Sequence, residues 1–125
     1  MTENDISYEI RGAAFRVHSN LGPGLLESVY EIALAHELKK LGYEVKSQVG
    51  LPVLYDGIQM EIGFRIDLLV NDLVVVEIKS VDALADVHHK QVLTYLKLSG
   101  KKLGLLINFN VSLLKDSIVR IVNNL

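Results

Sequence analysis

The run Gly63-Phe64-Arg65-Ile66-Asp67-Leu68-Leu69-Val70, then Asn71-Asp72, then Leu73-Val74-Val75-Val76-Glu77-Ile78-Lys79-Ser80, decides how this chain is read. It holds two aliphatic strands separated by a turn, and each strand carries charge where charge is costly. The first begins at Ile58 and ends at Val70. Alternation puts Phe64, Ile66, Leu68 and Val70 on one face, with Gly63, Arg65, Asp67 and Leu69 on the other. The second, Leu73–Ser80, is nearly continuous in aliphatics at its start, as expected of a strand covered on both faces. Ionisable groups beside a core are unfavourable unless they are paired or bind a metal. Asp67, Glu77 and Lys79 are such groups, and Glu77 and Lys79, two residues apart, point to the same side.

Whether Asp67 joins them depends on the turn. A two-residue loop at Asn71-Asp72 pairs residues whose numbers sum to 143, which sends Asp67 and Glu77 to opposite faces. A loop of odd length, or one bulge, makes the sum even and brings Asp67, Glu77 and Lys79 together. The functional reading requires the odd-length connection. Two carboxylates a few ångströms apart repel, and a divalent cation resolves the repulsion. Oxygen-only ligands favour Mg²⁺ or Mn²⁺ over zinc. Such an ion would hold water and a phosphate oxygen, with Lys79 orienting that water, helping to deprotonate it or neutralising transition-state charge.

Outward from this centre the pattern stays regular. Ile6, Ile10, Ala13, Ala14 and Val17 recur at helical spacing, so residues 5–19 read as an amphipathic helix. Gly22-Pro23-Gly24 breaks it. A second helix is expected from Leu25 to Leu41, with Leu26, Val29, Tyr30, Ala33, Leu34, Leu38 and Leu41 as its apolar stripe and Gly42 as its stop. Residues 43–55 read as a strand, where Pro52 marks an edge or a bulge, and Asp56-Gly57 is a hairpin turn. After the central strands a helix is expected from Ala83 to Leu98, followed by a buried strand from Leu103 to Phe109. The tail, Ser117–Val122, fits a last strand or a short helix. The order α-α-β-β-β-α-β plus that tail describes a layered α/β domain.

Composition narrows the class. A chain of 125 residues reads as one domain over residues 1–125. With 50 % hydrophobic and 22 % charged residues it is not disordered by default. The absence of cysteine excludes disulfides, zinc-thiolate sites and thiol catalysis. No apolar run is long enough to span a bilayer, and the acidic start Met-Thr-Glu-Asn-Asp reads as no secretory signal, so the expected location is the cytoplasm, away from membrane. A net charge of −2 lacks the basic excess of a duplex-coating protein. Contact with nucleic acid then has to come from a local patch, a bound metal or an assembly of subunits.

The segment from Gly63 to Asp67, followed by Glu77-Ile78-Lys79, resembles the Asp…Glu-x-Lys signature of the PD-(D/E)XK nuclease superfamily, although Ile66 stands where a proline often precedes the aspartate. Gly24-Leu-Leu-Glu27-Ser-Val-Tyr30 is similar to the pattern that names the GxxExxY proteins, and His88-His-Lys-Gln91-Val-Leu-Thr-Tyr95 to their helix after the core. The resemblance runs from about residue 8 to 123. It implies a restriction-endonuclease-like core, a mixed sheet flanked by helices. It implies a Mg²⁺- or Mn²⁺-dependent nuclease acting on DNA or RNA. Asp67, Glu77 and the Ile78 carbonyl would be metal ligands, Lys79 the catalytic lysine, and Glu27 the acidic residue that supports the metal or its waters. Gln91 and Tyr95 would line the site. Arg65 and His88 join them as residues expected to line it or to contact substrate. Tyr30 sits on the apolar stripe and reads as core, and Gly24 reads as fixing the helix entry so that Glu27 points inward. A competing expectation is a nuclease-fold module without turnover that binds nucleic acid or protein, in which a homodimer or a partner supplies the missing surface.

Overall fold

The computed structural model describes the backbone of residues 1–125 and all side chains except those of Glu61 and Ile62. Thr2 opens the first helix, α1 (Glu3–Leu21), with a reciprocal cap: its Oγ1 accepts from the Asp5 N–H at 3.2 Å, and Asp5 Oδ2 accepts from the Thr2 N–H at 2.9 Å. The helix therefore begins two residues before the expected start at residue 5. Ile6, Ile10, Ala13, Ala14 and Val17 are all buried, as the periodicity requires. Helix α2 (Glu27–Lys40) is shorter than expected. Leu26 and Leu41 flank it as caps and are exposed, as is Val29, so the buried stripe shrinks to Tyr30, Leu34, Ala35 and Leu38, with Ala33 partly covered.

Tyr30 fixes how α2 begins. Its ring stacks on Phe109 with centroids 4.6 Å apart. Its hydroxyl donates to the Gly22 carbonyl at 2.6 Å and accepts from the Leu25 N–H at 3.1 Å. The loop between the helices is thus pinned to the core, and Gly22 and Gly24 supply the left-handed turns, with φ of 69° and 94°, that it needs.

Five strands follow: β1 (Val45–Tyr55), β2 (Ile58–Val70), β3 (Val74–Lys79), β4 (Leu103–Asn108) and β5 (Ile118–Val122), in spatial order β1-β2-β3-β4-β5. Only β3 and β4 run parallel, so the sheet is mixed. Helix α3 (Asp86–Ser99) makes the crossover between them, as parallel neighbours require. Of the two alternatives for the tail, the strand is realised as β5, and a 3₁₀ turn, Leu114–Ser117, leads into it. Asp56 and Gly57 are both left-handed, at φ 51° and 76°, the geometry of a tight hairpin turn, and the β1–β2 register shifts at Pro52 on this edge strand. Helices α1 and α2 cover one face of the sheet and α3 the other, where Val92, Tyr95 and Leu96 meet Ile66, Leu69, Val75 and Leu106. Strand β3 is buried from Val74 to Ile78, between the two layers. This is the restriction-endonuclease-like architecture. Among the described residues, no helix is long and apolar enough to cross a membrane.

Helix α3 starts three residues later than its sequence suggested, for a local reason. The buried Asn108 amide accepts from the Val81 N–H at 3.1 Å and donates to the Val81 carbonyl at 2.9 Å. This clip holds the chain beyond β3 out of the helix until Asp86. Close packing of α3 on β4 gives a stability prediction. A Cβ on Gly104 would stand 2.8 Å from Val92 Cγ1 and 3.4 Å from Leu96 Cδ2. Overpacking of this kind costs about 1–3 kcal/mol, so Gly104→Ala should lower the urea midpoint by a corresponding amount at constant m. An unchanged midpoint would mean that α3 packs farther from the sheet than this.

Candidate active site

The β2–β3 register is the odd-length one. Leu68 pairs with Val76, Leu69 with Val75 and Val70 with Val74, a sum of 144, because Leu73 joins Asn71 and Asp72 in the connection. Asn71 and Asp72 are both left-handed, at φ 52° and 57°. Asn71 also accepts from the Glu44 N–H through Oδ1 and donates its own N–H to the Glu44 carbonyl, which anchors the turn to the start of β1.

Asp67 therefore stands opposite Glu77, where the backbone ladder stops and side chains replace it. The Asp67 N–H donates to Glu77 Oε1 at 3.1 Å, and the Ile78 N–H donates to Asp67 Oδ2 at 2.8 Å. Each carboxylate takes the place of a carbonyl on the facing strand. The strands part here, and β3 pairs with nothing on β2 before Leu68.

At the same point β2 turns over. Ile66 packs with Leu69 and Val75 on the α3 side, whereas Leu68 and Val70 pack on the α1–α2 side. Residues two apart on a regular strand share a face. The expectation that Phe64, Ile66, Leu68 and Val70 share one is therefore corrected: Phe64 and Ile66 lie on the α3 side, and the reversal falls on Asp67. Strand β1 reverses in step. Val45 packs on the α1–α2 side and Val49 on the other, with Gln48 between them at φ 53°. This paired reversal turns Asp67 away from both apolar layers and into a cleft of about 680 Å³ lined by Leu25, Leu26, Glu27, Ser28, Glu31, Gln48, Asp67 and Ser80.

Electrostatics follow from that placement. Burial, reinforced by the neighbouring negative charge of Asp67, pushes the Glu77 carboxyl up to about 8, against the pull of the Asp67 N–H and Lys79. Asp67 is also raised by burial, opposed chiefly by the Ile78 N–H and then by Gln48 and Lys79. Glu27 adds repulsion at both sites, and Lys79 attraction, so the charges of all four residues act on one locality. Glu27 is exposed in the first turn of α2, where Oε1 accepts from the Ser80 N–H at 3.4 Å. Ser80 Oγ donates to the Leu25 carbonyl at 2.7 Å, which ties the mouth of α2 to the end of β3. Lys79 is half-buried, and none of the ion pairs within 4.0 Å among the described residues involves it.

Of the remaining expected residues, Tyr95 is the one coupled to this centre. Tyr95 is buried below it, and its hydroxyl is pushed up to about 12 by burial and then by the charges of Glu77 and Asp67. Its ring leans on Phe64, with centroids 5.1 Å apart. Gln91 and His88 line a separate groove with Phe64, Val87, Lys90 and Thr94. His88 caps α3, its Nδ1 accepting from the Ala85 N–H at 3.0 Å. Arg65 is exposed on β2, opposite Gly50.

Two residues in the cleft have no part in the sequence reading: Glu31 and Gln48. Gln48 Nε2 donates to Glu31 Oε1 at 2.6 Å and to Asp67 Oδ1 at 3.3 Å. Glu31 lies four residues after Glu27, on the same helical face, and that spacing would have pointed to it. Gln48 carries no comparable signal, because only the strand pairing brings it to Asp67.

Among the described residues, no three His, Asp or Glu side chains gather tightly enough to form a cation cage by themselves. The donor set of two abutting carboxylates and nearby main chain fits Mg²⁺ or Mn²⁺. Mg²⁺ in particular is usually held by one or two carboxylates and keeps its remaining positions for water and phosphate.

A family model of the PD-(D/E)XK nuclease superfamily matches residues 4–121, and the chain belongs to that superfamily. No curated protein and no solved structure matches it.

Proposed function

We propose that this chain is a divalent-metal-dependent nuclease, a single PD-(D/E)XK domain over residues 1–125 of the GxxExxY group, that hydrolyses phosphodiester bonds in nucleic acid. The observation that carries this reading is the pair Asp67 and Glu77, each hydrogen-bonded to the other's strand at the point where the strands part, with Lys79 beside them. Asp67, Glu77 and the Ile78 carbonyl would hold the cation, and Glu27 would hold its waters from the helix side. A bound Mg²⁺ or Mn²⁺ supplies Lewis acidity to the phosphoryl group and lowers the pKa of water. Lys79 supplies positive charge where negative charge builds on the phosphate and orients the attacking water. Tyr95 closes the floor of the site and excludes solvent below Glu77. Gln91, one turn before Tyr95 on α3, together with His88 and Arg65, is assigned to the side from which substrate approaches. Cytoplasmic location and a homodimer that completes the substrate surface belong to the same proposal.

Titration calorimetry with Mn²⁺, paired with a cleavage assay on DNA and RNA, tests it. Wild type should bind Mn²⁺ saturably and cleave one of the substrates, and EDTA should stop cleavage. Asp67→Asn should weaken Mn²⁺ binding by at least about tenfold, since an anionic ligand is lost. A wild-type chain that takes up no Mn²⁺ would favour the module without turnover.

A further inference from the structure

We infer that Gln48 is a positioning residue for Asp67, locked in place from the helix layer by Glu31. The inference deepens the nuclease reading and rests on it.

Gln48 sits where β1 and β2 reverse their faces together, and it does so in the left-handed region at φ 53°. A residue with a side chain adopts that conformation at a cost, and such residues cluster at functional sites. A glycine or asparagine would take this φ more readily. What glutamine adds is its amide. One nitrogen spans two acids, donating to Glu31 Oε1 at 2.6 Å and to Asp67 Oδ1 at 3.3 Å. Because the amide is neutral, it separates the two acids without supplying a positive charge that would compete with a cation.

The effect on Asp67 is geometric. The terminal torsion of an aspartate is broad, so a single hydrogen bond leaves its carboxylate free to swing. Here Oδ2 is fixed by the Ile78 N–H at 2.8 Å, and Oδ1 is steered by Gln48. Two contacts from two strands define the carboxylate plane. The short bond to Glu31 is the anchor, and the longer one to Asp67 leaves room on Oδ1 for a cation. Loss of a partner that orients a ligand typically weakens metal binding by 10–100-fold.

Two substitutions separate this role from a merely structural one. Gln48→Gly removes the amide and relieves the left-handed backbone, whereas Gln48→Ala removes the amide and keeps the strain. Mn²⁺ affinity would be measured by titration calorimetry, and thermal stability separately in EDTA. Gln48→Gly should melt at or above the wild-type temperature yet bind Mn²⁺ 10–100-fold more weakly, and Gln48→Ala should melt lower with a similar loss of affinity. If wild type binds Mn²⁺ and Gln48→Gly binds it equally well, the inference is overturned while the nuclease reading stands. If wild type binds no Mn²⁺, both fall.

Discussion

Lys79→Ala should lower the single-turnover cleavage rate at saturating Mn²⁺ by about 10²–10³-fold, the usual consequence of removing one preorganised group that meets transition-state charge. Metal affinity should change little, because an ammonium is not a ligand. The fold should survive as well. Lys79 ends β3, half-buried, and its structural contribution is main-chain: its carbonyl accepts from the Phe109 N–H at 2.9 Å. None of the ion pairs within 4.0 Å among the described residues uses its side chain. Lys79→Arg should not restore the rate, since a planar guanidinium does not reproduce a compact ammonium. If Lys79→Ala cleaves at the wild-type rate while Asp67→Asn does not, the lysine has no role in the chemistry.

The second large effect concerns stability in the absence of metal. The Glu77 carboxyl lies at about 8 in the folded chain against an ordinary 4.5, so folding favours its protonated form. A raised group contributes stability that is complete below its unfolded pKa and is lost as pH climbs through the folded one. Wild type in EDTA should therefore lose stability steadily between about pH 4.5 and 8. Asp67 and Glu31 are raised as well and slope the same way. Glu77→Gln is neutral at every pH, and its amide oxygen can still accept from the Asp67 N–H. Near pH 8.5 in EDTA it should exceed wild type by about a few kcal/mol, because the wild-type fold then has to hold a charged carboxylate in a buried place. Saturating Mg²⁺ should reverse the order, stabilising wild type and leaving the variant unmoved. Urea titrations at pH 5 and 8.5, with and without Mg²⁺, read all four cases. Parallel pH profiles for the two proteins in EDTA would show that Glu77 is not held in a charge-averse environment.

Much of this was legible in the sequence, for identifiable reasons. Helical periodicity gave the buried face of α1, and Asp56-Gly57 marked the hairpin. The misplaced charges at 67, 77 and 79 located the centre, because aliphatic strands tolerate few of them. The register was open, because Asn71-Asp72 reads equally well as a complete two-residue turn, and nothing local says that Leu73 belongs to the connection rather than to the strand. The reversal at Asp67 was hidden for a different cause. Both faces of β2 are covered near its end, so Ile66, Leu68 and Leu69 are apolar whichever way each points, and alternation carries no record of the switch. Gln48 escaped because it reaches Asp67 only through pairing across 19 residues of chain, whereas the spacing of Glu31 from Glu27 was a signal left unused. The late start of α3 likewise depends on Asn108, 27 residues beyond Val81.

Ser80 reaches back to Leu25 and Glu27 across 53 to 55 residues, and the loop it meets is pinned by Tyr30 stacking on Phe109, farther still along the chain. Glu27 consequently joins the Asp67–Glu77 pair, itself local to the β2–β3 hairpin, only through these distant closures. Acidity at this cleft is therefore a property of the finished tertiary structure and of no single segment of chain.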